Sequence, residues 1–269
     1  MSAFDIVRLM NEEESVVLRA LHTAEAGLAK AAEMAAETYR RGGRVIYVGA
    51  GTSGRIAAAD AAEMPPTFGI EPNRFIALIA GGASAGDKAF ENAEDDIHSS
   101  ITALNAMKVN REDIVIGIAA SGSTPFVVSA VHHAQQKGIW TCGIANNRGS
   151  VLLEVAEHPI LLDTGPEVLT GSTRLKAGTS QKLALNRIST VAMVLSGKVI
   201  ENLMVDVKAN NQKLKERCAR IVCELTPATR DEAFELLDEH HWSIREVIES
   251  LKHSLPIREE GELHSALQT

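Results

Sequence analysis

Two short stretches rich in glycine, serine and threonine each follow a run typical of a buried β-strand. The first is Gly49-Ala-Gly-Thr-Ser-Gly-Arg55, after residues 44–48, and the second is Ala119-Ala-Ser-Gly-Ser-Thr-Pro125, after residues 113–118. A helix-compatible segment follows each turn. Such a turn brings backbone N–H groups, hydroxyls and the positive end of a helix dipole together, an arrangement that favours a bound phosphate. The pattern predicts a phosphorylated small molecule as ligand.

Either turn alone is equally compatible with a plain tight connection between a strand and a helix. Gly49-x-Gly51-x-x-Gly54 also fits the letters of the dinucleotide fingerprint, but Ile70-Glu71-Pro72 is a loop, not the acidic end of a second strand about 20 residues on. Two such turns in one parallel sheet line a shared crevice, which favours the phosphate site. The turn residues assigned to it are Gly51, Thr52, Ser53, Gly54, Ser121, Gly122, Ser123 and Thr124.

Two carboxylates are candidates for acid–base chemistry. Glu63 stands in Glu63-Met-Pro-Pro66, where the double proline is predicted to end the helix that follows the first turn. Glu91 and Glu94 are three residues apart and would share one face of a helix predicted over 86–107. That acidic cluster is equally compatible with a solvent-exposed face. Paired carboxylates suit a reaction in which one group donates and the other abstracts a proton.

The distance along the first helix limits how Glu63 can act. Ser53 and Glu63 are separated by ten residues, a rise of about 15 Å in a straight helix. This length exceeds that of a hexose phosphate. Glu63 would therefore reach a phosphate at its own helix start only if the helix bent or ended early, and otherwise it would serve the site of a symmetry-related partner.

The elements that must position these residues alternate between strand and helix. After a helical region over 4–41, strands are predicted at 44–48, 74–79, 113–118, 139–144 and 158–162, with helices at 53–63, 86–107, 124–137 and 149–154. Short strands rich in valine and isoleucine, separated by helices, indicate a parallel sheet that is covered on both faces. Right-handed crossovers then give an α/β fold, a doubly wound five-stranded parallel sheet in a flavodoxin-like three-layer sandwich.

A polar segment over 163–179 precedes a long helix predicted from Lys176 to Val207. Ser172 or Thr173 would cap that helix, or the segment would form a functional lid or wall. Three short helices follow, at 211–224, from Thr226-Pro227 to Asp238, and from the cap Ser243 to Leu251, before a frayed end at 256–269. The expected domains are 1–208, with the sheet, and 209–269, a small three-helix (UBA-like) tail.

Composition excludes several other classes of function. The net charge is −8 with no basic run longer than two, and only 4% of residues are aromatic, so no nucleic-acid surface is expected. Cys142, Cys218 and Cys223 lack metal-ligand spacing and are predicted to be reduced thiols. The His240-His241 pair has no third ligand at a matching spacing and predicts a solvated turn. No apolar run approaches the ~20 residues of a membrane span, and a cytoplasmic protein is expected.

Longer motifs occur in a fixed order along the chain. They are Gly49-Ala-Gly-Thr-Ser-Gly-Arg55, Asp60-Ala-Ala-Glu-Met-Pro-Pro-Thr-Phe-Gly69, Leu78-Ile-Ala-Gly-Gly82, Glu91-Asn-Ala-Glu-Asp95, Gly117-Ile-Ala-Ala-Ser-Gly122, Gly165-Pro-Glu-Val-Leu-Thr-Gly-Ser-Thr-Arg-Leu-Lys-Ala-Gly-Thr179 and Asn202-Leu-Met-Val-Asp-Val207. This series resembles the sugar isomerase (SIS) phosphosugar-binding domain and, within it, the N-acetylmuramic acid 6-phosphate etherase family. The resemblance covers about residues 4–210, and the helical tail is similar to that family's small C-terminal bundle.

The resemblance implies a lyase that cleaves the D-lactyl ether of N-acetylmuramic acid 6-phosphate, giving N-acetylglucosamine 6-phosphate and D-lactate in cell-wall sugar recycling. By the same resemblance, Glu63 is the proton donor and Glu94 the base, and no metal or cofactor is needed. Glu91, Glu167 and Lys176 are expected at the substrate site. The implied assembly is a homodimer, which would allow a site shared between subunits.

Two alternatives remain at this point. A non-catalytic phosphosugar sensor, similar to the glucokinase regulatory protein, shares the first turn and Glu94 but does not keep Glu63, whose presence here favours catalysis. An aldose–ketose isomerase is the weaker alternative, because neither turn holds a histidine to open a sugar ring. The etherase pattern has arginine where this chain has Ser123, and Arg148 is a candidate to supply the charge.

Overall fold

The structure is a computed structural model that describes residues 1–82 and 93–252. The chain forms two compact units, Met1–Glu63 with Pro72–Ser196, and Met64–Glu71 with Gly197–Thr269. The chain passes from one unit to the other after Glu63, after Glu71 and after Ser196. The domain boundary inferred from the sequence, between residues 208 and 209, stays a prediction.

A parallel sheet of five strands forms the centre of the first unit. The strands are β1 (Val45–Gly49), β2 (Phe75–Ile79), β3 (Ile114–Ala119), β4 (Trp140–Ala145) and β5 (His158–Leu161). They lie in the order β2-β1-β3-β4-β5, and every neighbouring pair is parallel. This order confirms the predicted doubly wound, flavodoxin-like sheet.

Helices cover both faces of this sheet. They are α1 (Ala3–Thr23), α2 (Glu25–Arg40), α3 (Gly51–Phe68), α4 (Ile97–Ala106), α5 (Pro125–Gln136), α6 (Val151–Val155) and α7 (Lys176–Leu195). Helices α4, α5 and α6 pack together on one face, and α2 packs against α7 on the other. The strands β1 and β3 are buried along their whole length, as the continuous apolar runs predicted.

A buried carboxylate ties α3 to the face that carries α7. Asp60 of α3 accepts hydrogen bonds from Tyr47 Oη (3.0 Å), Asn186 Nδ2 (2.6 Å) and Ser189 Oγ (3.0 Å). Burial raises the pKa of Asp60 above its ordinary value, although these three hydrogen bonds oppose the shift. The donors satisfy a group that would otherwise be costly to bury, and they fix α3 alongside α7.

Three helix boundaries differ from the sequence predictions. The helical region over 4–41 is two helices that meet at Ala24. Helix α3 does not end at the double proline but continues to Phe68. Pro65 and Pro66 have no N–H and cannot donate to the preceding turn, but helical bonding resumes after them, since the Gly69 N–H donates to the Pro65 carbonyl oxygen (2.9 Å). Helix α4 begins only at Ile97, where the Asp96 side chain caps its first N–H groups, and residues 86–92 of the predicted helix lie outside the described residues.

The helix predicted from 176 to 207 is also shorter. Helix α7 ends at Leu195, and Gly197 follows with a φ of +73°, a left-handed conformation that stops the helix. Two short antiparallel strands come next, β6 (Val199–Ile200) and β7 (Leu203–Met204).

The second unit contains the three short helices expected in the tail: α8 (Gln212–Leu225), α9 (Arg230–Glu239) and α10 (Ile244–Lys252). Thr226-Pro227 does not begin the second of them. Thr229 forms a capping box with Glu232 there, whereas Thr226 Oγ1 donates to the Val222 carbonyl oxygen at the end of α8. Ser243 accepts from Glu246 N–H (3.3 Å), as its predicted role in capping requires. Residues 256–269 lie outside the described residues.

Among the helices of residues 1–82 and 93–252, none has the length and apolar character needed to cross a membrane.

An ion pair fastens the amino-terminal ends of β1 and β3. Asp113 Oδ1 accepts from Arg44 N–H and Nε (both 2.9 Å), and its Oδ2 accepts from Arg44 Nη2 (2.6 Å) and Asn110 N–H (3.0 Å). Burial alone would raise the pKa of Asp113, but the hydrogen bonds from Arg44 and Asn110 outweigh it and the pKa is lowered. This clasp aligns the two central strands at the edge opposite the glycine-rich turns.

We expect Asp113→Asn to lower the free energy of unfolding by about 2–4 kcal/mol at neutral pH, because it leaves Arg44 partly buried without its counter-charge. A group whose pKa is lowered by folding stabilises the protein above its unfolded pKa. The difference between wild type and variant should therefore begin to shrink as the pH falls below about 4, and it should be lost as the pH falls through the lower pKa of folded Asp113. Urea unfolding at several pH values measures it, with the exposed Glu112→Gln as control. Equal stability of both variants at pH 7 would contradict the account.

Candidate functional site

The two hydroxyl-rich turns lie at the carboxyl ends of adjacent strands. β1 and β3 are neighbours in the sheet, with Gly49 level with Ile118, although β2 comes between them in the chain. The chain leaves β1 toward one side of the sheet and β3 toward the other, so this is the point at which the winding direction reverses. Ligands of open parallel sheets bind in the crevice at that point.

The first turn leads directly into α3. The helix begins at Gly51, which has a φ of +51°, and Gly54 is the residue whose N–H bonds back to Ala50 O (3.1 Å). The N–H groups of Gly51, Thr52 and Ser53 therefore precede the helical ladder and point out of the helix start. Close packing requires glycine at 54, because a Cβ there would lie 2.7 Å from Ile79 Cγ2.

The second turn leads into α5 and leaves hydroxyl groups facing outward. Ser121 is exposed, and its Oγ accepts the Ser123 N–H (3.2 Å), so its own proton stays available to an acceptor. Thr124 is the N-cap residue of α5 but makes no side-chain cap bond. Gly122 has a φ of +66°, and a Cβ there would lie 2.1 Å from Ser150 Oγ.

Glu94 lies beside both turns. A Cβ built on Gly51 would be 2.9 Å from Glu94 Oε1, so this carboxylate lies directly over the first turn. The Glu94 carbonyl oxygen accepts the Phe126 N–H (3.0 Å) at the start of α5. The residue is half-buried and belongs to the turn before α4, not to a helix as the sequence predicted. Its predicted neighbour Glu91 lies outside the described residues.

Glu63 is far from this carboxylate along the same chain. It is exposed on α3, twelve positions after Gly51, a rise of about 18 Å. The helix does not end before Glu63, so the early end that would let Glu63 serve its own helix start does not occur. Within one chain the structure brings Glu94, but not Glu63, to the first turn.

A buried chain of side-chain hydrogen bonds lies behind the first turn. Ser53 Oγ donates to Gln181 Oε1 (2.7 Å), Gln181 Nε2 donates to Asn146 Oδ1 (2.9 Å), and Asn146 Nδ2 donates to the Leu162 carbonyl oxygen (2.8 Å). Sequence reasoning placed Ser53 in the turn but missed Gln181 altogether. The signal was available, because a glutamine on the apolar face of a helix predicts a buried hydrogen-bond partner.

Glu167 and Lys176 take part in fixing the start of α7. The Glu167 carboxylate accepts the N–H groups of Lys176 and Ala177 (both 3.0 Å), so the predicted caps Ser172 and Thr173 are wrong. A carboxylate competes well for this position because it meets the positive end of the helix dipole. The buried Lys176 ammonium donates to Glu13 Oε2 of α1 (2.6 Å).

The remaining predicted groups lie apart from the two turns or pair elsewhere. Arg148 Nη2 contacts Asp163 Oδ2 (3.1 Å), and both side chains are exposed. The three cysteines are free thiols, and burial raises the pKa of Cys142 far above its ordinary value. Within residues 1–82 and 93–252, no group of three or more histidine, cysteine, aspartate or glutamate side chains could hold a metal ion.

The fold and the crevice define the class of protein as one built on a SIS domain. Residues 93–188 match the SIS domain family, and residues 27–135 match the glucokinase regulatory protein N-terminal SIS domain. A phosphoheptose isomerase from Francisella tularensis has the same fold, at a TM-score of 0.55 and 18% identity, covering 72% of this chain and 100% of that one. A protein of E. coli CFT073 matches with a TM-score of 0.54 and 16% identity, over 75% of this chain and 97% of that one.

Curated relatives narrow the class to one family. N-acetylmuramic acid 6-phosphate etherase of Geobacillus thermodenitrificans is 50% identical over 233 residues, covering 87% of this chain and 79% of the relative. The protein of the same name from Lactobacillus acidophilus is 47% identical over 236 residues, covering 88% and 79%. The chain belongs to the N-acetylmuramic acid 6-phosphate etherase family, and the resemblance seen in its motifs is confirmed.

The geometry of the second turn gives a test by matched glycine substitutions. Gly122→Ala would add a Cβ 2.1 Å from Ser150 Oγ to a residue at positive φ, whereas Gly149→Ala meets nothing within 4 Å at a similar φ of +64°. We expect Gly149→Ala to lower the free energy of unfolding by about 1 kcal/mol from backbone strain alone. Gly122→Ala should cost about 1–3 kcal/mol more, because Ser150 must move. Equal losses in urea unfolding would contradict the packing of this turn.

Proposed function

We propose that this chain is an active etherase, a carbon–oxygen lyase that cleaves the D-lactyl ether of N-acetylmuramic acid 6-phosphate. The observation that carries the proposal is the position of Glu94, whose carboxylate lies over the first of two hydroxyl-rich turns at the reversal point of the sheet. Relatives at 47–50% identity that bear the etherase name support it. The products would be N-acetylglucosamine 6-phosphate and D-lactate, a step of cell-wall sugar recycling in the cytoplasm.

The phosphate group would be held between the two turns. The N–H groups of Gly51, Thr52 and Ser53 face out of the start of α3, and the dipoles of α3 and α5 both favour an anion there. Ser121 and Thr124 would donate their hydroxyl protons to phosphate oxygens, because neither proton is needed for the bonds that hold the second turn. Gly54, Gly122 and Ser123 complete the backbone of the cradle, and Glu91, Glu167 and Lys176 stay predicted substrate contacts.

The reaction would proceed on the opened sugar in two stages. Glu94 first takes the proton from C2, reversibly. The bond between C3 and the lactyl oxygen then breaks, and Glu63 gives that oxygen a proton, so that D-lactate leaves. Water then adds across the new double bond, with its hydroxyl going to C3 and a proton to C2. Glu94 suits the first role because its carboxylate lies over the first turn, beside a sugar whose phosphate the two turns would hold.

Glu63 would come from a second copy of the chain. Its position about 18 Å along α3 from Gly51 prevents it from meeting Glu94 of its own chain at one sugar. A homodimer resolves this separation if α3 of one subunit lies across the crevice of the other. Exposed apolar side chains on α1, namely Phe4 (73% exposed), Val7 (56%) and Leu18 (63%), support an interface between copies.

A phosphosugar-sensing regulator is the second candidate. It is favoured by the match of residues 27–135 to the SIS domain of the glucokinase regulatory protein. A sensor would bind the sugar phosphate through the same two turns without turning it over. The two candidates therefore differ in lactate release, not in binding.

The proposal predicts that Glu63→Gln and Glu94→Gln each lower D-lactate release by about 10²–10⁴-fold, the usual contribution of a general acid or base. Glutamine nearly keeps the shape of glutamate, so both variants should still bind N-acetylglucosamine 6-phosphate. In D₂O, Glu63→Gln should retain some exchange of the C2 proton, and Glu94→Gln should show none.

The exposed Glu154→Gln on α6 is the matched control and should release lactate at the wild-type rate. If wild type binds the sugar phosphate but neither exchanges C2 nor releases lactate, the sensor candidate is correct. Unchanged lactate release in both active-site variants would contradict the assigned residues.

A further inference from the structure

In the buried hydrogen bonds that link Ser53, Gln181 and Asn146, each group can act as donor or acceptor in only one way. Ser53, Gln181 and Asn146 are 7%, 1% and 9% exposed, so their polar groups depend on one another and not on water. The chain of bonds connects the start of α3 with α7 and with the carboxyl ends of β4 and β5. Each amide can be oriented in two ways in principle, and the partners at the far end decide between them.

Two acceptors fix the amide of Asn146. The Leu162 carbonyl oxygen, 2.8 Å from Asn146 Nδ2, can only accept. Ser180 Oγ, 2.9 Å from the same nitrogen, gives its own proton to the Ala177 carbonyl oxygen (2.8 Å) and so also accepts. The nitrogen of Asn146 must therefore face these groups, and its oxygen Oδ1 must face Gln181.

The orientation then passes to Ser53. Because Asn146 presents an oxygen, Gln181 must turn its Nε2 toward it (2.9 Å) and its Oε1 toward Ser53 (2.7 Å). An amide oxygen only accepts, so the single hydroxyl proton of Ser53 is committed to Gln181. A phosphate oxygen accepts hydrogen bonds only, and the Ser53 hydroxyl has no free proton to donate to it while its bond to Gln181 exists. Ser121, whose oxygen accepts from Ser123 N–H, keeps its proton.

We propose that Gln181 is a positioning residue of the phosphosugar site, which anchors the first turn through Ser53 so that the α3 N–H groups meet the phosphate. This inference rests on the proposed function. In this arrangement the backbone N–H of Ser53 donates to the phosphate, while its side-chain hydroxyl bonds Gln181 and so fixes the position of the first turn. Asn146 keeps the Gln181 amide in the required orientation, and the Leu162 carbonyl oxygen in turn fixes the orientation of Asn146.

The test is a double-mutant cycle on the whole chain. Gln181→Met keeps the side-chain length but removes the hydrogen bonds of Gln181 to Ser53 and to Asn146. Ser53→Ala removes the bond between Ser53 and Gln181 from its other side. Calorimetry with N-acetylglucosamine 6-phosphate gives the Kd, and D-lactate release gives kcat. We expect each single variant to raise Kd about tenfold, the effect of one lost buried hydrogen bond. The double variant should bind no more weakly than the weaker-binding single variant, because the bond between Ser53 and Gln181 is already absent in each of them.

Positioning also predicts how the loss divides between binding and turnover. Kd should rise by a larger factor than kcat falls, since Gln181 touches no reacting atom. The exposed Gln135→Met on α5 is the matched control and should bind as wild type does. If Gln181→Met does not fold, Gln181→Asn serves instead, because its shorter amide cannot reach both Ser53 and Asn146, and it should raise Kd likewise.

Three results would overturn the inference, each for a different reason. Wild-type affinity in Gln181→Met with weakened binding in Ser53→Ala would mean that Ser53 donates to the phosphate directly. Additive losses in the double variant would mean that the two residues act independently. A wild-type protein that binds no sugar phosphate would remove the proposed function itself and the positioning role with it.

Discussion

The reversal of winding between β1 and β3 is the constraint on which the site depends. Because β2 and β4 lie on opposite sides of this central pair, the helices that follow β1 and β3 pack on opposite faces of the sheet, α3 beside α7 and α5 beside α4. Both helices nevertheless start at the same edge, so two positive helix ends converge there. The Arg44–Asp113 clasp at the far edge keeps the two strands aligned.

Each group around this edge is held by a different part of the fold. Glu94 is fixed by its backbone bond to Phe126 and lies against Gly51, while Ser53 is tied from behind through Gln181. Glycine at 51 leaves room for the carboxylate, because a Cβ there would lie 2.9 Å from Glu94 Oε1. The uninterrupted run of α3 from Gly51 past Glu63 has the opposite effect, since it carries the Glu63 side chain away from the helix start.

Much of the sheet and its turns could be predicted because their signals are local: continuous apolar runs and clusters of glycine and hydroxyl residues. The rest depended on tertiary contacts. Helix α3 continues past Pro65-Pro66, where propensity alone predicts an end. The end of α7 before Gly197 had a local signal, the glycine itself, that the sequence prediction did not use. The role of Gln181 depends on Asn146, distant in sequence, so no local pattern could reveal the partner. The distance of Glu63 from Ser53 at the start of its own helix, by contrast, followed from helix geometry and pointed to two subunits.

A mixed dimer tests the central claim, a site that combines Glu94 of one subunit with Glu63 of another. Glu63→Gln and Glu94→Gln chains are co-expressed with different affinity tags and purified through both tags, so that every dimer carries one chain of each kind. A shared site predicts D-lactate release at about half the wild-type rate per dimer, because one of two symmetric sites keeps both glutamates. Dimers of either variant alone should stay inactive. No lactate release from the mixed dimer, or no co-purification of the two chains, would contradict the account.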